Sequence, residues 1–114
     1  MSDRYVFKQG KGKADNSSRW KVCFDTQDER YTAELRFGGA GGASYKLYEI
    51  NKDIFDRVGT FEEDDYKSER LIREGGRKLY ISMVDRNIPG CDEVIDRDYR
   101  KLCPWAEIVS FQRK

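Results

Sequence analysis

Enzymes need groups that move protons or attack electrophiles, and histidine, the commonest of them, is absent from the 114 residues. Its absence removes Ser-His and Cys-His nucleophile pairs and most zinc sites, leaving carboxylates, lysine, tyrosine and cysteine. The triplet Asp65-Tyr66-Lys67 has the spacing of a nuclease D-x-K element. No Pro-Asp strand precedes it, so it reads as a solvated helix face. Asp85-x-Asn87-x-x-Gly90 begins like a calcium loop, with Asp96 at the twelfth position. Pro89 offers no side-chain oxygen at the fifth position, and Asp92 occupies an apolar one, so a structural turn is expected. Gly38-Gly39-Ala40-Gly41-Gly42-Ala43-Ser44 contains G-x-G but lacks the third glycine and the following helix that hold a pyrophosphate; it reads as a flexible strand connection.

The cysteines are no stronger. Cys23, Cys91 and Cys103 are odd in number and show no C-x-x-C spacing, which fits a reducing compartment better than a disulfide framework. Cys103 falls at an expected helix C-terminus, where the dipole disfavours a thiolate. Cys91 falls near an expected helix N-terminus but has no base beside it in sequence. No catalytic residue, metal ligand or cofactor is assigned, and a non-enzymatic protein is expected.

Two charged stretches suggest binding instead. Lys8, Lys11, Lys13, Arg19 and Lys21 are interleaved with Tyr5, Phe7 and Trp20, the mixture that a single-stranded nucleic acid or a phosphorylated small ligand would use. Against that, strand alternation would bury Tyr5, Phe7 and Trp20 in the core and leave the lysines merely solvated. Glu62, Glu63, Asp64 and Asp65 form an acidic run that ends at Tyr66, a candidate surface for a protein partner. Net charge is only +1, from 22 basic and 21 acidic side chains, so the whole chain carries no nucleic-acid footprint.

The elements that must position these residues are mostly strands. In Arg19–Asp25, Trp20, Val22 and Phe24 alternate with polar or small residues; in Tyr31–Phe37, Tyr31, Ala33, Leu35 and Phe37 do the same. The polar link 26–30 makes the pair a hairpin, with Thr32, Glu34 and Arg36 on a charged opposite face. Further strands are expected at 5–8, 45–50, 78–84 and 105–111. Short helices are expected after Asn51, stopping near Gly59, and from the capping box Thr60-Phe61-Glu62-Glu63 to Gly75; the second, poor in apolar residues, should be peripheral. Residues 92–103 carry Val94, Ile95, Tyr99 and Leu102 at helical spacing and predict the best helix, ended by Pro104. The expected fold is a single α+β domain over residues 1–114: a mostly antiparallel sheet of five to six strands with one or two helices on one face.

Hydrophobic residues make up 38% of the chain and charged residues another 38%, while 13% aromatic content argues against disorder. No stretch approaches a membrane span and no apolar leader precedes residue 5, so the cytoplasm is the expected location. The expected function is binding to another protein, in the manner of phage and mobile-element accessory proteins that inhibit host defences. The alternative is the nucleic-acid or phosphorylated-ligand reading of loop 8–21. Strands 45–50 and 78–84 are apolar on both faces, which adds the expectation of a homo-oligomer if helices cover only one of them.

Overall fold

A computed structural model describes residues 4–10, 20–39, 42–60, 65–85, 88–106 and 109, with side chains omitted at 37–39, 42–43, 65, 83–85 and 88–91. Six strands run in chain order across one sheet: β1 (Tyr5–Gln9), β2 (Trp20–Asp25), β3 (Arg30–Gly39), β4 (Gly42–Ile50), β5 (Arg77–Asp85) and β6 (Ile88–Val94). Every neighbouring pair is antiparallel. The α+β class and antiparallel sheet are as the sequence predicts.

The central hairpin follows the alternation pattern. Trp20 pairs with Leu35, Val22 with Ala33 and Phe24 with Tyr31, which places all six on one face, here called the front. Helices α1 (Lys52–Arg57) and α2 (Asp65–Gly75) cover that face. Ile54, Val58 and Ile72 from this segment join Trp20, Val22, Ala33, Leu35, Tyr48 and Ile50 in a buried cluster. Asn51 caps α1 through its side-chain oxygen, which accepts from Ile54 N at 2.9 Å. Gly59 ends the turn at φ +81°, where a Cβ would come within 3.3 Å of the Trp20 ring. The capping-box residues 61–63 lie outside the described residues. Helix α2 is not peripheral: Ile72 is fully buried, and Ser68 Oγ accepts from Gly59 N at 2.9 Å. Few apolar residues suffice there because they share one face.

The reverse face of the sheet departs from the expectation of a charged, solvated surface. Cys23, Thr32 and Glu34 are buried on it, under the segment containing α3 (Tyr99–Leu102), residues 103–106 and Val109. Tyr45, Leu47, Leu79, Tyr80, Tyr99, Cys103, Ala106 and Val109 form this second core. A bulge helps to build it. Leu47 pairs with Tyr80 and Tyr48 with Lys78, leaving Leu79 unpaired, and both Leu79 and Tyr80 pack into the same cluster. The Tyr80 and Tyr99 rings stack at 4.1 Å. With both faces covered by the chain itself, the apolar character of β4 and β5 no longer calls for a second copy.

Three expectations fail here. Residues 88–94 are a strand, and helix is confined to Tyr99–Leu102 in that region. The apparent helical stripe is a coincidence of spacing, because Val94 and Ile95 are exposed. Asp92 instead fixes the strand, accepting from Tyr80 Oη at 2.6 Å and Ser82 Oγ at 3.1 Å. The glycine-rich stretch is not simply a connection, since the β3–β4 ladder continues to the Gly39–Gly42 pair. Of the strand expected at 105–111, Trp105 and Ala106 turn beside the sheet and Val109 is helical, while 107, 108, 110 and 111 lie outside the described residues; Trp105 is tied to the reverse face by its bond to Thr32.

Candidate functional site

The candidate site lies on the reverse face beside β1. Tyr5 and Phe7 are two apart in β1, so both project from that face. Their ring centroids are 6.3 Å apart, and Phe7 meets Trp105 edge-on at 5.7 Å. Phe7 is 43% exposed, while Tyr5 and Trp105 are half-buried. Trp105 is held by its indole N–H, which donates to Thr32 Oγ1 at 2.9 Å. The three rings form a ribbon with a fixed wall at one end.

Cations flank the ribbon. The Arg4 guanidinium sits 5.1 Å from the Tyr5 ring centroid, and Lys21 Nζ lies 4.5 Å from Phe7 and 5.8 Å from Trp105. Arg4 is also engaged by Asp25 through a two-pronged contact, Nε–Oδ1 at 3.1 Å and Nη2–Oδ2 at 3.2 Å. Asp25 accepts from the backbone N–H of Gln27 and Asp28 as well. Burial alone would raise the Asp25 pKa, but the Arg4 hydrogen bond and these N–H groups outweigh it and hold the carboxyl below its ordinary value.

The basic stretch does not form one groove. Lys8 pairs with Val22 on the front face and donates to Phe55 O at 2.7 Å at the end of α1, while Lys21 lies on the reverse face. Lys11, Lys13 and Arg19 lie outside the described residues. The expected burial of Tyr5 and Phe7 with Trp20 is also corrected: Trp20 is buried on the front, and the other two rings line the reverse face. In the acidic stretch, Glu62, Glu63 and Asp64 lie outside the described residues; Asp65 opens α2, and its side chain is not described. Tyr66 is 52% exposed, with the Arg73 guanidinium 5.8 Å from its ring.

A separate open groove of about 500 Å³ is lined in part by Arg30, Tyr31, Glu49, Asn51 and Arg77. Both of its arginines are ion-paired, Arg30 with Glu49 at 3.9 Å. Arg77 contacts Glu49 at 3.1 Å and Asp96 at 3.0 Å, which raises the arginine pKa further. The thiols are set apart from any such chemistry. Burial, with a smaller contribution from Asp25, pushes Cys23 up to about 12, and burial raises Cys103 as well. Among the described residues no group of three or more Cys, Asp or Glu is placed to hold a metal ion. No described helix is long and apolar enough to cross a membrane.

Sequence reasoning offered Lys21 with Tyr5 and Phe7 as a basic-aromatic surface, but it added Trp20, which is buried on the other face, and missed Arg4 and Trp105. The i, i+2 spacing of Tyr5 and Phe7 signals a shared face, but nothing local announces that Trp105 joins them from the far end of the sequence. Compared with known proteins, the chain matches no family model, no curated protein and no solved structure.

Proposed function

We propose that the protein is a non-enzymatic binding module that engages another protein through the Tyr5–Phe7–Trp105 ribbon. The observation that carries this reading is the Phe7 ring, 43% exposed between two half-buried aromatics and a lysine. Exposed aromatics, often with arginine beside them, are common anchors of protein interfaces, because they bury much area with few rotatable bonds. The cations support a protein partner over a nucleic acid. Arg4 is already engaged by Asp25, and Lys8 is bound to backbone carbonyls on the opposite face, so the described charges do not line one phosphate track. The buried, poorly ionising thiols agree with a role outside catalysis. The same surface would serve an accessory protein of a phage or mobile element that occludes a host defence component.

The test is affinity capture from lysate with the wild-type chain beside Phe7→Ser. A partner held by the first and released by the second supports the reading. Equal recovery by both removes the ribbon from the interface. A salt-sensitive shift of labelled single strands that is lost in Phe7→Ser would transfer the site to nucleic acid.

A further inference from the structure

The ribbon borders a sheet edge, and the hydrogen bonding of β1 specifies what that edge offers. Thr26 N donates to Arg4 O at 2.8 Å, and Gly10 N donates to Trp20 O at 3.1 Å. With Val6 opposite Phe24 and Lys8 opposite Val22, the even-numbered residues of β1 direct their N–H and C=O groups to β2. The N–H and C=O groups of Tyr5, Phe7 and Gln9 therefore point away from the sheet. Among the described residues β1 pairs with β2 alone.

The opposite edge is guarded in the ordinary way. Strand β6 contains Pro89, which has no N–H, and the exposed carboxylate of Glu93. Strand β1 has no proline, and its charges are drawn away from the edge. Arg4 is turned to Asp25, and Lys8 to the carbonyl at the end of α1. Val6 and Phe7 are left 45% and 43% exposed, one on each face.

We propose that β1 pairs antiparallel with β1 of a second copy, about a two-fold axis through Phe7, and so joins two aromatic ribbons into one surface. This inference rests on the ribbon being the binding site. The register follows from the strand itself. Setting the two Phe7 residues opposite each other also sets Tyr5 of each copy opposite Gln9 of the other. All three outward-facing residues are then used, for about six backbone hydrogen bonds. Lys8 comes to face Val6, and Arg4 faces Gly10. Sliding to a Val6–Val6 centre would instead oppose Arg4 with Lys8, a like-charge pair, and would leave Gln9 beyond the pairing of 5 with 7. Directly opposed residues share a face, so both Phe7 rings stay on the reverse face beside Trp105 of their own copies, and the binding surface doubles across the axis.

Light scattering across a concentration series, combined with amide exchange by NMR, tests this. The expected mass rises toward twice the 13.4 kDa of one chain. Exchange at Tyr5, Phe7 and Gln9 slows about tenfold once about nine-tenths of the chain is paired, while Val6 and Lys8 are unchanged. Val6→Lys should weaken association and Val6→Glu strengthen it, through Lys8 of the other copy; Val6 lies on the front face, outside the ribbon. Gln9→Pro should abolish the dimer without touching the β1–β2 ladder. A monomer at every concentration overturns the dimer, as does a dimer with unchanged exchange at Tyr5, Phe7 and Gln9. Because Phe7 lies on the proposed axis, partner capture is read separately with Gln9→Pro, which leaves the Phe7 ring in place: capture kept by that monomer and lost in Phe7→Ser assigns the ribbon independently of the dimer.

Discussion

Trp105 and Thr32, 73 positions apart in sequence, are joined by a 2.9 Å hydrogen bond from indole N–H to threonine hydroxyl. The contact fixes the segment that covers the reverse face and sets the wall of the aromatic ribbon. Thr32→Val keeps the shape but leaves the indole without its acceptor. The expected cost is about 1–2 kcal/mol, read as a lower midpoint in urea unfolding with the slope unchanged.

Helix α2 separates two roles cleanly. Ile72 is fully buried against the front face, so Ile72→Ala should cost about 2–4 kcal/mol. Tyr66→Ala, on the solvent side of the same helix, should stay within about 0.5 kcal/mol. Comparable losses in the two variants would contradict the packing of α2 on the front face.

The buried thiols bear on alkaline stability. Cys23 is held protonated up to about 12 in the folded chain, against an ordinary value of 9.0. The unfolded chain loses that proton first, so the contribution is fully present below pH 9 and is lost as pH rises from there toward 12. Urea midpoints should therefore fall across that window, and Cys23→Ala should flatten the fall. At pH 8 Cys23 and Cys103 should react with a thiol reagent only after unfolding.

Asp25 acts at the other end of the pH scale. Its carboxyl is held below its ordinary value of 3.8 by Arg4 and by the N–H groups of the 26–29 turn, against the opposing effect of burial. The unfolded chain binds the proton first as pH falls, so this stabilisation is present above about pH 4 and fades below it. Arg4→Gln should bring the Asp25 titration, followed by carboxyl NMR, back up toward the ordinary range. An unmoved titration would exclude the Arg4 contact as its cause.

The hairpin and both front-face helices were legible because their signals are local. Trp20, Val22 and Phe24 alternate within one strand, and Asn51 and Gly59 bracket one short helix. The second core was not legible, because it is assembled from distant pieces. The bulge at Leu79 breaks the two-residue period where both Leu79 and Tyr80 pack inward. Val94 and Ile95 imitate a helical stripe, while the true determinant is Asp92 bonding to Tyr80 and Ser82 on the neighbouring strand. Lys8 and Lys21 belong to one basic stretch in sequence but leave the sheet in opposite directions. Phe7 obeys the alternation rule, yet alternation gives a direction and not a cover, and Trp105 and Lys21 cover it only in part, leaving it 43% exposed.

The order of the elements carries a consequence for biogenesis. Every strand pairs with the one translated just before it, so the sheet can grow as the chain leaves the ribosome, each strand finding its neighbour already there. The lid over Cys23, Leu47 and Tyr80 is translated after all six strands. Until residues 99–109 emerge, the nascent sheet presents a bare apolar surface, and that interval is where a chaperone would be needed most.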